Sequence, residues 1–136
     1  MAKYFSARPY TLVRIFVPQL EVKPGELGIG DKVSDIIEVI KRHSFMGRIG
    51  NYRGVFETST GVEGYMPEAG ANPTHGQIDE LSVVRTVTVS TYASTAITEE
   101  QLQRFLDDVI EVHPWELPMI EIWRDGKLFL WEPINE

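Results

Sequence analysis

The chain contains no cysteine. Disulfides, thiolate catalysis and cysteine-ligated zinc are therefore excluded. Positive charge is also scarce: 13 Lys and Arg face 20 Asp and Glu, a net charge of −7. Binding to nucleic acid or to an anionic membrane needs clustered cations, so neither partner is expected. No apolar run reaches the ~20 residues of a membrane-spanning helix, and residues 1–9 lack the apolar core of a signal peptide. A cytoplasmic location is the resulting expectation. Histidine is sparse too, with His43, His75 and His113 standing far apart and no H-x-x-x-H pair. Any metal site must assemble from separate segments or subunits.

What remains is an ordinary globular composition, 43% apolar and 24% charged over 136 residues, the size of a single domain. Tyr10–Val17 reads as a strand ended by Pro18, and 19–30, rich in Gly and Pro, reads as a loop. Asp31 is placed to cap a helix running to about His43. Val33, Ile36, Ile37 and Ile40 make its apolar stripe. Tyr52–Thr60 reads as a strand broken by Gly61, with Val62–Pro67 as the return arm of a hairpin. Glu68–Gln77 is a loop. Leu81–Tyr92 is dense in β-branched residues and is the clearest strand. Thr98 opens a second helix, with Gln101 completing a capping box. Leu102, Phe105, Leu106, Val109 and Ile110 form its stripe. Pro114 ends that helix near His113. Pro118–Trp123 is a further strand, and Asp125-Gly126 signals a tight turn into a short strand, Lys127–Trp131.

The order predicts an α+β fold: a ferredoxin-like βαββαβ antiparallel sheet with two helices on one face. The core spans about residues 10–123, and residues 124–136 form a C-terminal β-hairpin arm. Leu12 and Phe16 oppose Val13, Ile15 and Val17, so large apolar groups occupy both sheet faces. The second face then calls for another buried layer, most simply other subunits, the alternative being that the C-terminal arm or the 19–30 loop covers it.

Three motifs sit at the bends: Gly47-Arg48-Ile49-Gly50-Asn51-Tyr52, Gly70-Ala71-Asn72-Pro73 and His113-Pro114-Trp115-Glu116. The first can expose backbone N–H groups as an anion nest with Arg48 closing over it. Its plainer alternative is a tight helix-to-strand turn. Asn72 can bind its own loop or a ligand. His113, Glu116 and His75 are the candidate metal ligands, against helix termination for His113 and a solvated loop for His75. Trp115, Trp123 and Trp131 can stack on a ring or pack a wall. No Ser-His-Asp arrangement or carboxylate couple emerges, so no catalytic residue is assigned and no enzyme is expected.

Together, GRIGNY, Tyr65-Met66-Pro67, GANP and HPWELP resemble the small domain of NIF-three-like proteins, which is grouped with the PII and CutA trimers. The resemblance covers residues 10–123. It implies a homotrimer with ligand sites in clefts between subunits. Those sites would hold a small anion, a nucleotide or a divalent metal, at Arg48, Asn51, Tyr52 and Asn72 and at His113, Glu116 and His75. Ala69, Leu117 and Met119 replace carboxylates of the related patterns. The large module carrying the two-metal centre of that family has no counterpart in residues 1–136, so its chemistry does not carry over. The reading is a non-enzymatic binding or regulatory protein. The alternative is a protein-interaction module without a small ligand. Cofactors stay unassigned.

Overall fold

The computed structural model describes residues 3–20, 31–94 and 96–133. Most of the loop expected over 19–30 lies outside them. Four strands and two helices alternate as β1 (Lys3–Pro18), α1 (Asp31–Arg42), β2 (Phe56–Tyr65), β3 (Ser82–Ser94), α2 (Glu99–Val112) and β4 (Ile120–Pro133). The sheet runs β2-β3-β1-β4 and every neighbouring pair is antiparallel. This is an α+β sheet of the ferredoxin-like kind.

Alternation along the central strands selects the core. Val13, Ile15 and Val17 of β1 lie opposite Thr91, Val89 and Val87 of β3. All six are buried and face the helices. Val33, Ile36, Val39 and Ile40 of α1 meet them, as do Leu102, Phe105 and Val109 of α2. Each such aliphatic or aromatic side chain contributes roughly 1.5–3 kcal/mol on burial. Val39 belongs to the α1 stripe, and Ile37 sits at its margin. Ile110 does not belong to the α2 stripe: it is half exposed, on the flank turned from the sheet.

The capping box on α2 is complete. Gln101 N–H donates to Thr98 Oγ1 at 3.0 Å, and Thr98 N–H donates to Gln101 Oε1 at 2.9 Å. At the other end His113 is extended, and its N–H closes on the Val109 and Ile110 carbonyls.

Two expected breaks are absent. Gly61 does not end a strand. It pairs with Thr86, and β2 continues unbroken to Tyr65, so Val62–Tyr65 is no return arm. The strand also starts later than expected, because Tyr52 is held in a turn by paired backbone bonds with Ile49. Asp125-Gly126 is not a hairpin turn either. Gly126 pairs with Tyr10, and the register then jumps so that Leu12 meets Trp123. Arg124 and Asp125 thus oppose Thr11 alone, which is a β-bulge. The C-terminal arm is consequently one half of a two-stranded ribbon with residues 3–9, not a hairpin folded on itself.

The face away from the helices is partly apolar. Trp123 is 59% exposed and Met119 is 50% exposed there, with Leu12 and Phe16 half buried. The cross-strand pair Arg14–Glu121, 3.6 Å apart, lies between them.

Candidate functional site

GRIGNY closes the turn from α1 to β2. Gly47 N–H donates to the Tyr92 carbonyl, and Val55 N–H donates to the Gly47 carbonyl at 3.0 Å. Gly47 has φ +67°, and a Cβ there would lie 2.3 Å from the Val55 nitrogen. Only glycine fits so near a backbone atom at positive φ. Arg48 Nε donates to the Ser44 carbonyl at 2.9 Å, and the Arg48 carbonyl accepts from Tyr10 Oη at 3.2 Å. Asn51 and Tyr52 point outward, Tyr52 being 74% exposed. The motif is first a helix-to-strand connection.

His113 is buried at the opposite end of the sheet. Its Nε2 lies 2.6 Å from the Phe16 carbonyl, and its Nδ1 accepts from Trp115 N–H at 3.1 Å. This pattern defines the neutral tautomer with the proton on Nε2. Burial holds its pKa below the ordinary 6.5, outweighing the Phe16 carbonyl and the Glu63 charge, which both favour protonation. With both ring nitrogens engaged, His113 pins the turn after α2 to the end of β1.

That pin positions Trp115. Its ring meets Tyr65 edge-on at 5.5 Å between centroids, and its Nε1–H points to Glu63 Oε2 at 3.4 Å. Glu63 and Tyr65 share a face because they stand two residues apart on β2. Tyr65 Oη in turn donates to the His75 carbonyl, with His75 Nδ1 at 3.2 Å. Burial raises the Tyr65 phenol above its ordinary pKa, a Ser82 hydrogen bond opposes this, and the Glu63 charge adds to the rise. GANP arrives from the same side. Asn72 N–H donates to Glu116 Oε2 at 2.7 Å, and Thr74 Oγ1 donates to the Pro114 carbonyl at 2.7 Å.

These contacts enclose an open cleft of about 390 Å³. The end of β2, the GANP loop and the HPWELP segment supply its walls. Tyr65, Trp115, Leu117 and Met119 make them largely apolar, with Glu63 and Glu116 as the carboxylates. Among the described residues no Lys or Arg lines it.

Two of the three motifs therefore meet, and the third does not join them. Gly47 bonds at Tyr92, whereas Tyr65 pairs with Ser82, ten residues away along β3. At about 3.3 Å per residue this is roughly 33 Å. Arg48, Asn51 and Tyr52 thus share no cleft with His113 inside one chain. Nor do His113, Glu116 and His75 form a metal set. Among the described residues no three His, Asp or Glu side chains come together as one. The His113 ring is engaged on both sides, and Glu116 is turned to the Asn72 backbone. Sequence reasoning did not single out Glu63. Its signal was two-residue periodicity with Tyr65, once β2 is read through Gly61.

The fold defines the class as an α+β sheet with paired crossover helices. Among solved structures, the chain resembles a Bacillus cereus protein related to NIF3, with a TM-score of 0.62 at 20% identity. The match covers 90% of this chain and 27% of that one. The likeness is one of fold, and this chain spans about a quarter of that protein. No family profile matches the sequence, and no curated protein matches it. Among the described residues no helix is long and apolar enough to cross a membrane.

Proposed function

We propose that the chain is a non-enzymatic, PII/CutA-like binding or regulatory module. It acts as a homo-oligomer, with a trimer favoured, and holds a small ligand in the Tyr65–Trp115 cleft. The observation that carries this reading is the cleft itself: an apolar hollow of about 390 Å³ where two motif loops meet over an aromatic pair. Ligand sites are typically concave, mostly apolar and furnished with a few placed polar groups. Its ionisable groups are engaged in holding its own loops, which favours retaining a guest over transforming one.

Oligomerisation is supported by the apolar side chains left exposed on the face away from the helices, Trp123 and Met119 foremost. Two carboxylates and no Lys or Arg in the described lining weigh against a phosphate-bearing or other anionic guest. His75 and Glu116 line the cleft without His113, and among the described residues no three His, Asp or Glu side chains come together, which weighs against a divalent metal.

Multi-angle light scattering at micromolar concentration tests the assembly. Calorimetry against a panel of nucleotides, divalent metals and organic amines tests the ligand. A species of 15.5 kDa alone, with the whole panel silent, would sink the proposal. A protein-interaction role is favoured by one observation: Leu117 is 80% exposed and Val62 is 71% exposed, both near an open sheet edge. Binding retained by a partner protein but lost in Leu117→Lys, with the panel silent, would select that reading.

A further inference from the structure

We infer that the cleft takes a positively charged organic guest, an ammonium or guanidinium group carried on an apolar body. This rests on the cleft being a ligand site, as proposed above, and adds the class of ligand. Three features of the lining point the same way.

The first is its charge. Glu63 and Glu116 reach the cleft from different elements, β2 and the turn after α2. Each uses one carboxylate oxygen internally: Glu63 Oε2 faces Trp115 Nε1–H, and Glu116 Oε2 accepts from Asn72 N–H. Among the described residues, no hydrogen bond holds either Oε1 atom. A carboxylate oxygen accepts hydrogen bonds and donates none, so its natural complement is a cationic donor. The Glu63 charge already acts on its neighbours, opposing ionisation of Tyr65 and favouring protonation of His113.

The second is aromatic. Tyr65 and Trp115 stand edge-to-face, so their rings present faces in different directions. Ring faces attract cations, with tryptophan the strongest, and attraction grows when the group is partly desolvated. The third is the remainder of the wall. Leu117 is 80% exposed and Met119 is 50% exposed beside the same hollow. They provide apolar contact for the body of the guest, with Met119 able to adapt its shape. His75, the basic side chain in the lining, is tied through Nδ1 to Tyr65 Oη.

The test uses three matched probes against the full chain by titration calorimetry: phenethylammonium chloride, 2-phenylethanol and sodium 3-phenylpropionate. The ammonium is expected to bind about tenfold more tightly than the alcohol, with the carboxylate weakest. The preference should shrink at high salt, because the charges are open to solvent. The double variant Glu63→Gln with Glu116→Gln keeps both internal acceptors. It should lower ammonium affinity to that of the alcohol. Equal or tighter binding of the alcohol or the carboxylate overturns the cationic assignment while the cleft reading stands. Silence of all three probes overturns both.

Discussion

Replacing His113 with Ala removes two hydrogen bonds at once, Nε2 to the Phe16 carbonyl and Trp115 N–H to Nδ1. The residue is 7% exposed, so neither partner is readily rehydrated. At about 1 kcal/mol per bond, plus the cost of a vacated buried site, the loss should be about 2–4 kcal/mol. The substitution also carries a pH signature that a merely smaller side chain would not. Burial holds the folded-state pKa of His113 below its ordinary 6.5. The unfolded chain therefore binds the proton more readily, and unfolding is favoured as protons become available. The sign follows: this group contributes stability fully above pH 6.5 and loses it as pH falls through the lowered folded value. Each unit of lowering corresponds to about 1.4 kcal/mol. Urea unfolding of wild type and His113→Ala between pH 7.5 and 5.5 reads the difference directly, with all other titrating groups common to both. The gap between the two proteins should narrow toward acid. A gap that stays constant or widens refutes the assignment of His113 as a buried neutral staple.

Gly47→Ala should cost more than about 3 kcal/mol or prevent folding, since its Cβ would meet the Val55 nitrogen at 2.3 Å. Gly50→Ala, also at positive φ but with nothing within 4 Å, should cost only about 1–2 kcal/mol, and thermal unfolding of the pair separates clash from conformation. Tyr65→Phe removes the bond to the His75 carbonyl and should cost about 1 kcal/mol, with faster amide exchange in residues 67–78. Trp123→Glu should shift any oligomer toward a 15.5 kDa species in light scattering without unfolding it, because that side chain is 59% exposed in the single chain.

Local signals were sufficient where the structure is decided locally. The Thr98–Gln101 capping box and the extended His113 before Pro114 are set by neighbours a few residues away. They follow from the sequence for that reason. The misread strands depended on distant partners. Gly61 and Gly126 carry little strand propensity of their own, yet pairing with Thr86 and Tyr10 keeps both within a ladder. The Asp125-Gly126 signal did mark an irregularity, but a bulge opposite Thr11 absorbed it instead of a reversal. The cleft was the least legible feature. Glu63, Asn72 and Trp115 are far apart in sequence, and only the continuation of β2 brings the first of them to the other two. The motif residues stand out in the sequence, but which motifs meet depends on the ends of the sheet at which they fall.

In the proposed function the GANP loop and HPWE build the site, while GRIGNY shapes the fold. An ¹H–¹⁵N NMR titration of the labelled chain with phenethylammonium chloride tests this most directly. Shifts should concentrate at Trp115 Nε1–H and the Ala71 and Asn72 amides, with the amides of residues 47–52 unmoved. Shifts centred on residues 47–52, with Trp115 and Asn72 silent, would contradict it.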